Sequence, residues 1–223
     1  MSWWKFWQSD PKKPDFIQAY LEKNAQKIPG IRTLDQLEFL VLDTETTGFD
    51  LKKDQLISFG AVKIKNRKIQ VSEGVELRLK QDNPLGPAIK VHGILRDEKA
   101  LSQEEFAEKT IPILGNSILV GHHVQFDLEM LLQVFRPFGL NQLPNPVLDT
   151  LSLCMRLDYG PLADYSQIKA EEYSLDSLCQ RFGIEADDRH TASGDAFLTA
   201  QLLQKLLILA EKKGIDTFSK LIR

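Results

Sequence analysis

Cysteine is scarce: the chain carries two in 223 residues, Cys154 and Cys179, far apart and in no Cys-x-x-Cys pair. That excludes a zinc motif or a disulfide framework and fits reduced thiols in a core. No run of about 18 apolar residues occurs, so no membrane-spanning helix is expected. The most apolar stretch, Leu202 to Ala210, is broken by Lys205. A secretory h-region is missing as well, because Lys5, Gln8, Ser9 and Asp10 interrupt the opening apolar residues; a cytoplasmic location is the expectation. Basic excess is also absent. Twenty-eight Lys and Arg stand against 31 Asp and Glu, a net charge of −3. This weakens any reading in which surface charge alone binds nucleic acid, but leaves room for a site where bound cations supply the positive charge. Neither a 20–50-residue repeat nor a low-complexity segment is found. What is there is ordinary for a globular chain: 43% hydrophobic and 26% charged residues, with enough length to bury one sizeable core without disulfides.

All three tryptophans lie in the opening Met1-Ser-Trp-Trp-Lys-Phe-Trp7, which is followed by Asp10-Pro-Lys-Lys-Pro14. Either these aromatics anchor the chain at a membrane surface or partner protein, or they pack onto its own domain, or the tip is expected to be disordered. Phe16 to Lys27 reads as a short amphipathic helix stopped before Pro29-Gly30. The expected division is an N-terminal extension over 1–36, a main domain over 37–212 and a C-terminal tail over 213–223.

From Leu37 the pattern changes. Glu38 to Asp43 is a short apolar run ending in an acid, and Gln55 to Lys65 is a second apolar strand. Lys68 to Leu79 alternates as a third strand with a turn or bulge at Gly74. Three strands so close predict an antiparallel meander. Ser102-Gln-Glu-Glu105 has capping-box spacing and predicts a helix towards Leu114, stopped at Gly115. A strand over Ser117–Val120, a helix over Val124–Phe135, a strand over Pro146–Asp149 and a helix over Thr150–Leu157 follow. Ser174 caps a helix over Leu175–Phe182 with Gly183 as its stop. Thr191 to Lys213 is the longest helical pattern; its apolar positions, Phe197 among them, fill more than one stripe and predict a largely buried helix. The order predicts an α/β fold with a mixed sheet, a meander first and helical crossovers after it.

Three short segments carry chemistry. In Asp43-Thr-Glu45-Thr-Thr-Gly48 the two acids stand two apart on a strand and share a face. Adjacent carboxylates raise each other's pKa unless a cation lies between them, and a hard divalent ion with oxygen ligands resolves the repulsion. Gly48 lets the chain turn close to a ligand. In Leu119-Val-Gly-His-His-Val-Gln-Phe-Asp127 a strand runs into a helix, and Asp127 falls in its first turns. By itself Asp127 could complement the helix N-terminus, yet strand-to-helix junctions are also where ligands bind in open α/β sheets. In Arg189-His190-Thr-Ala-Ser-Gly-Asp195-Ala the histidine precedes a helix, and Asp195 lies among apolar neighbours where an unpaired carboxylate is costly.

Together these segments resemble the DEDDh 3′–5′ exonucleases, the DnaQ-like family that includes the proofreading epsilon subunit of bacterial DNA polymerase III. The family's Asp-x-Glu-Thr-x-Gly is matched by Asp43 to Gly48. Its His-Asn-x-x-Phe-Asp is matched by His122 to Asp127, and its His-x₄-Asp by His190 to Asp195. Val91-His92-Gly93-Ile94 is similar to its short His-Gly-Ile segment. The resemblance spans about Leu37 to Ala210, and three motifs in order are far more specific than one. Two positions depart from the pattern: His123 stands where Asn is usual, and Leu95 where Thr is common. Both bear on the nucleotide rather than on the metal ligands.

The resemblance implies a ribonuclease H-like fold and metal-dependent hydrolysis of the terminal phosphodiester at a 3′ end. Asp43, Glu45, Asp127 and Asp195 would hold two Mg²⁺ or Mn²⁺ ions, which suit an all-oxygen site better than zinc does. His190 would be the general base, with Thr46, His92 and His123 near the nucleotide. The expected substrate is single-stranded DNA, with RNA trimming as the alternative, and a polymerase or repair partner could meet the N-terminal segment. Asp43-Thr-Glu45-Thr46 also superficially resembles the opening motif of haloacid-dehalogenase-type phosphatases, but no suitably placed lysine and paired-acid motif follow. A non-catalytic nucleic-acid-binding protein is the remaining alternative, against which all five catalytic positions are kept.

Overall fold

The computed structural model of the chain describes residues 13–81, 99–161, 168–186 and 189–223. Strands β1 (Phe39–Thr46), β2 (Leu56–Lys65), β3 (Lys68–Ile69) and β4 (Val75–Arg78) form the expected antiparallel group. Strands β5 (Ile118–Gly121) and β6 (Val147–Asp149) extend the sheet in parallel from β1. The strand order is β3-β2-β1-β5-β6, with β4 sharing the outer edge of β2 with β3. The single third strand expected over Lys68–Leu79 is thus two strands. A 3-10 turn at Val71–Glu73 separates them, and the Gly74 amide closes it on the Val71 carbonyl.

Helices α1 (Asp15–Lys23), α2 (Gln103–Leu114), α3 (Gln125–Phe135), α4 (Thr150–Tyr159), α5 (Leu175–Phe182), α6 (Ala192–Lys212) and α7 (Phe218–Leu221) cover the sheet. Local chemistry sets several of their ends. Ser102 and Glu105 form the reciprocal capping box of α2. Asp149, Ser174 and Thr191 cap α4, α5 and α6 through their side chains, satisfying amides that have no partner inside the helix. Gly183 ends α5 in the left-handed conformation, at φ +64°.

The sheet divides the core in two. Phe39, Val41, Ile118 and Val120 face a layer that includes Leu153, Leu178, Leu198, Leu202 and Leu206, from α4, α5 and α6. Leu40, Leu42, Phe59 and Leu119 face Ile17, Phe106, Ile111, Leu128 and Leu131, from α1, α2 and α3. Side chains alternate along a strand, so the far end of β1 inherits this division. Asp43 and Glu45 belong to the α6 face, and Thr44 to the α3 face.

The described residues outside 37–212, namely 13–36 and 213–223, lie on the same core. Ile17 is fully buried, and the Tyr20 hydroxyl donates to Asn145 Oδ1; burial pushes the Tyr20 phenol well up. Asn24 donates to the carbonyls of Tyr20 and Gly115, which closes α1 earlier than the Lys27 expected from the pattern. At the other terminus the Phe218 amide donates to the Arg32 carbonyl, and Leu221 is buried. Helix α6 is buried along most of its length, but Phe197 and Ile208 remain 37% and 48% exposed; Phe197 leaves the stripe that the sequence pattern assigned it. Among the described residues no helix is long and apolar enough to cross a membrane.

Candidate active site

Asp43 and Glu45 stand near the end of β1, where the register with β2 shifts between Glu45 and Thr46. Such an irregularity re-aims side chains at a strand end. Asp195 comes from the first turn of α6. One carboxylate oxygen from each of Asp43, Glu45 and Asp195 lies within 4.8 Å of the other two. The approach of α6 depends on Gly60, the β2 residue paired with Asp43. A methyl group at Gly60 would overlap the Ala192 carbonyl, at the start of α6. Gly60 was not among the residues singled out from sequence, and only its closeness to α6 reveals its role. Gly48 is different: its tight neighbour is the Asp54 carboxylate, 2.6 Å from where a Cβ would sit, so its small size serves the turn after β1.

Asp127 reaches β1 from the opposite face. Its Oδ1 accepts from the Thr44 amide at 2.9 Å and from the Thr44 hydroxyl at 2.6 Å. It is buried, 6% exposed, in the first turn of α3. Asp127 therefore stands behind Thr44 rather than in the three-oxygen cluster, although its charge is felt at Asp43. Burial, then the charges of Asp127, Asp195 and Glu45, raise the Asp43 carboxyl well above the usual range. Burial raises Asp127 to about 7 against the pull of its Thr44 hydrogen bonds. Crowded, desolvated carboxylates of this kind are the chemistry that a divalent cation relieves. Three converging carboxylates with no nitrogen or sulfur donor among them fit a hard ion such as Mg²⁺ or Mn²⁺.

His190 faces solvent in the turn before α6. Its φ is +67°, and His123, in the turn before α3, has φ +60°. Left-handed backbone is uncommon outside glycine and clusters at functional turns. Here each such histidine leads into the helix that carries an acid. Arg189 ties the His190 loop down: Nε and Nη2 donate to Asp176 of α5 at 2.6 and 3.2 Å. Its Nη1 forms an ion pair with Asp195 Oδ1. Sequence reasoning quoted Arg189 in the motif and gave it no role. Nothing local signalled one, because both of its partners come from other elements.

The neighbouring residues divide into supports and exposed groups. His122 is kept neutral by burial, its pKa lowered to about 4. Its Nδ1 lies 3.0 Å from the Thr150 hydroxyl, which itself donates to the Gly121 carbonyl. The Asp149 carboxylate accepts from the Val124 amide and caps α4, joining β6 to the turn before α3. The Thr46 hydroxyl donates to the Gly48 carbonyl. Phe126 is partly buried, and Phe49, 91% exposed, tilts against it with ring centroids 5.9 Å apart. Exposed aromatics of this kind can serve as base-stacking surfaces, and Phe49 was not singled out in the sequence. His92 and the Val91–Ile94 segment lie outside the described residues.

Comparison with known proteins follows the same lines. The family model described as Exonuclease (RNase T) matches residues 40–203, and the chain belongs to this DnaQ-like exonuclease family. It is 32% identical over 220 residues to a DNA polymerase III PolC-type protein of Thermotoga petrophila, covering 94% of this chain and 15% of that protein. It is 34% identical over 195 residues to a DNA polymerase III subunit epsilon-like protein of Rhodobacter capsulatus, covering 85% of this chain and 26% of that one. The chain thus corresponds to a minor part of the length of these relatives. Among solved structures, E. coli exonuclease I in complex with a dT13 oligonucleotide superposes with a TM-score of 0.62 at 19% identity, over 80% of this chain and 43% of that one. A product-bound exonuclease I gives 0.62 at 21% identity, over 80% and 45%. At such identities the likeness establishes the ribonuclease H-like fold.

Proposed function

We propose that this chain is a 3′–5′ exonuclease that removes nucleoside 5′-monophosphates from single-stranded DNA. The observation that carries the reading is the convergence of Asp43, Glu45 and Asp195 oxygens within 4.8 Å, in a chain of the exonuclease family. The names of its relatives support a DNA substrate, since they are polymerase III proteins and one structural neighbour is described with a dT13 oligonucleotide. A role beside a polymerase and a cytoplasmic site of action belong to the same proposal. The aromatic tip proposed for partner contact lies outside the described residues.

Asp43, Glu45 and Asp195 would hold one Mg²⁺ or Mn²⁺ ion; Asp43 would also reach a second, which Asp127, held behind Thr44, would meet through water. When bound, the ions supply positive charge opposite the scissile phosphate as charge develops on the attacking and leaving oxygens. His190 acts as general base: an imidazole nitrogen takes the proton of the attacking water as its oxygen bonds to phosphorus and the bond to the leaving O3′ breaks. Solvent exposure of His190 gives that proton a way out. Thr44 holds Asp127 in one orientation, Arg189 anchors the His190 turn, and Phe49, His123 and Thr46 border the space for the terminal nucleotide.

The test is parallel digestion of 3′-labelled single-stranded DNA, matched and mismatched duplex ends and short RNA, with Mg²⁺, Mn²⁺ or EDTA. The expected result is metal-dependent release of 5′-mononucleotides, fastest from single-stranded DNA. Release that survives EDTA, or none from any DNA end, would overturn the proposal. RNA as the fastest substrate would overturn its DNA clause.

A further inference from the structure

Arg189 does something that the hydrolytic scheme does not require. Its guanidinium is split between two carboxylates in different elements. Nε and Nη2 form a fork on Asp176, at 2.6 and 3.2 Å. The remaining Nη1 ion-pairs with Asp195 Oδ1. The two sides differ in exposure: the Asp176 side chain is 65% exposed and that of Asp195 is 12% exposed. Beyond this ion pair, neither Arg189 Nη1 nor Asp195 Oδ1 has a hydrogen-bond partner among the described residues.

Asp195 also belongs to the cluster with Asp43 and Glu45. A buried carboxylate beside two others is costly unless a positive charge reaches it. Arg189 supplies that charge from the protein itself, on one of the three carboxylates that a divalent ion would share. A guanidinium can do both jobs because its donors form a rigid planar fork, whereas a lysine ammonium is a single point charge.

We infer that Arg189 is an internal counter-ion of the metal centre: it neutralises Asp195 when no metal is present, and its Nη1 contact must yield when a divalent ion takes the Asp195 carboxylate. The Asp176 fork keeps the guanidinium and the adjacent His190 turn in place during the exchange. Arg189 is therefore a positioning residue that sets metal affinity by competition. The inference rests on the proposed metal site and concerns a property that the family motifs do not specify.

Competition predicts a direction that a merely structural role does not. Mn²⁺ is titrated calorimetrically into the full chain without nucleic acid, for the wild type, Arg189→Gln, Arg189→Lys and Asp176→Asn. Removing the competitor in Arg189→Gln is expected to tighten Mn²⁺ binding by about two- to fivefold. Arg189→Lys is expected to lie between it and the wild type. Asp176→Asn frees the guanidinium to settle fully on Asp195 and is expected to weaken Mn²⁺ binding, the opposite sign. In EDTA, Arg189→Gln should melt below the wild type, and Mn²⁺ should raise its Tm by more. A folded Arg189→Gln that binds Mn²⁺ equally or more weakly overturns the inference. Should that variant fail to fold, Asp176→Asn decides alone, and unchanged or tighter binding in it overturns the inference. A wild type that binds no Mn²⁺ overturns the metal-centre reading itself, a distinguishable failure.

Discussion

Asp127 and Asp195 reach the end of β1 from opposite faces of the sheet, and each is held by different chemistry. Asp127, on α3, accepts two hydrogen bonds from Thr44, one from the backbone and one from the hydroxyl. These neutral donors orient the carboxyl group and do not cancel the charge it carries when ionised. Asp195, on α6, is ion-paired with Arg189, which cancels the charge. One acid is pinned and still electrically demanding, and the other is satisfied by a cation that can be exchanged. Asp43 lies between them and feels both.

The hardest way to break this arrangement is to remove the shared acid. Asp43→Asn should abolish metal-dependent nucleotide release while stabilising the metal-free protein. The sign follows from the raised carboxyl groups. A carboxyl whose pKa is higher folded than unfolded gives its full stability below the unfolded value and loses it as pH rises through the folded one. Metal-free wild type should therefore lose Tm as pH climbs from about 4, the unfolded carboxylate range, past about 7, where Asp127 titrates. Asp43→Asn should flatten that decline, by about 2–4 °C for each kcal/mol of repulsion relieved. Melting curves in EDTA from pH 4 to 9 measure it, and a steeper decline in the variant would contradict the origin assigned to the shift.

Replacing the proposed base leaves both acids in place. His190→Ala should slow release by about 10²–10⁴-fold and change the pH–rate profile. An unchanged profile would argue against the base role.

The pinned side is probed by Thr44→Val, which keeps the shape and deletes the hydroxyl donated to Asp127. A hydrogen bond to a charged group is worth about 1.5–3 kcal/mol, and a loss of this size is expected in denaturant titrations. Because the lost donor is neutral, the loss should be nearly the same at low and high salt. A marked salt dependence would mean that the two sides are less different than their geometry indicates.

Gly60→Ala tests the approach of the exchangeable side. The added methyl meets the Ala192 backbone, so α6 must move, at a cost of about 1–3 kcal/mol. Asp195 moves with the helix, so Mn²⁺ binding should weaken too. A variant as stable as the wild type with unaltered Mn²⁺ affinity would show that the close fit is not needed.

Much of the fold was legible because its signals are local. Ser102 with Glu105, Ser174 with Gly183, and the alternation through β1 and β2 lie within a few residues of one another, and the helices and strands they mark are present. The split between β3 and β4 was half-legible: Gly74 flagged an interruption, but pairing with β2 decided that it was a turn between two strands. Phe197 was misread because periodicity describes a helix by itself, while burial depends on which elements stand opposite. The site divides in the same way. Asp43 and Glu45 sit two apart on one strand, so their shared face follows from strand geometry.

The sequence by itself determined the family, the three acidic motifs and which helix or strand carries each, since these depend on residue order and short-range periodicity. Only the tertiary structure decided how the acids are shared out. Alternation along β1 sends Thr44 to the α3 face and Asp43 and Glu45 to the α6 face. Asp127 is therefore pinned behind the strand, while Asp195 joins the open cluster. Gly60 and Arg189, one clearing the way for α6 and the other balancing its acid, act through residues distant in the chain, and such contacts exist only once the layers have packed.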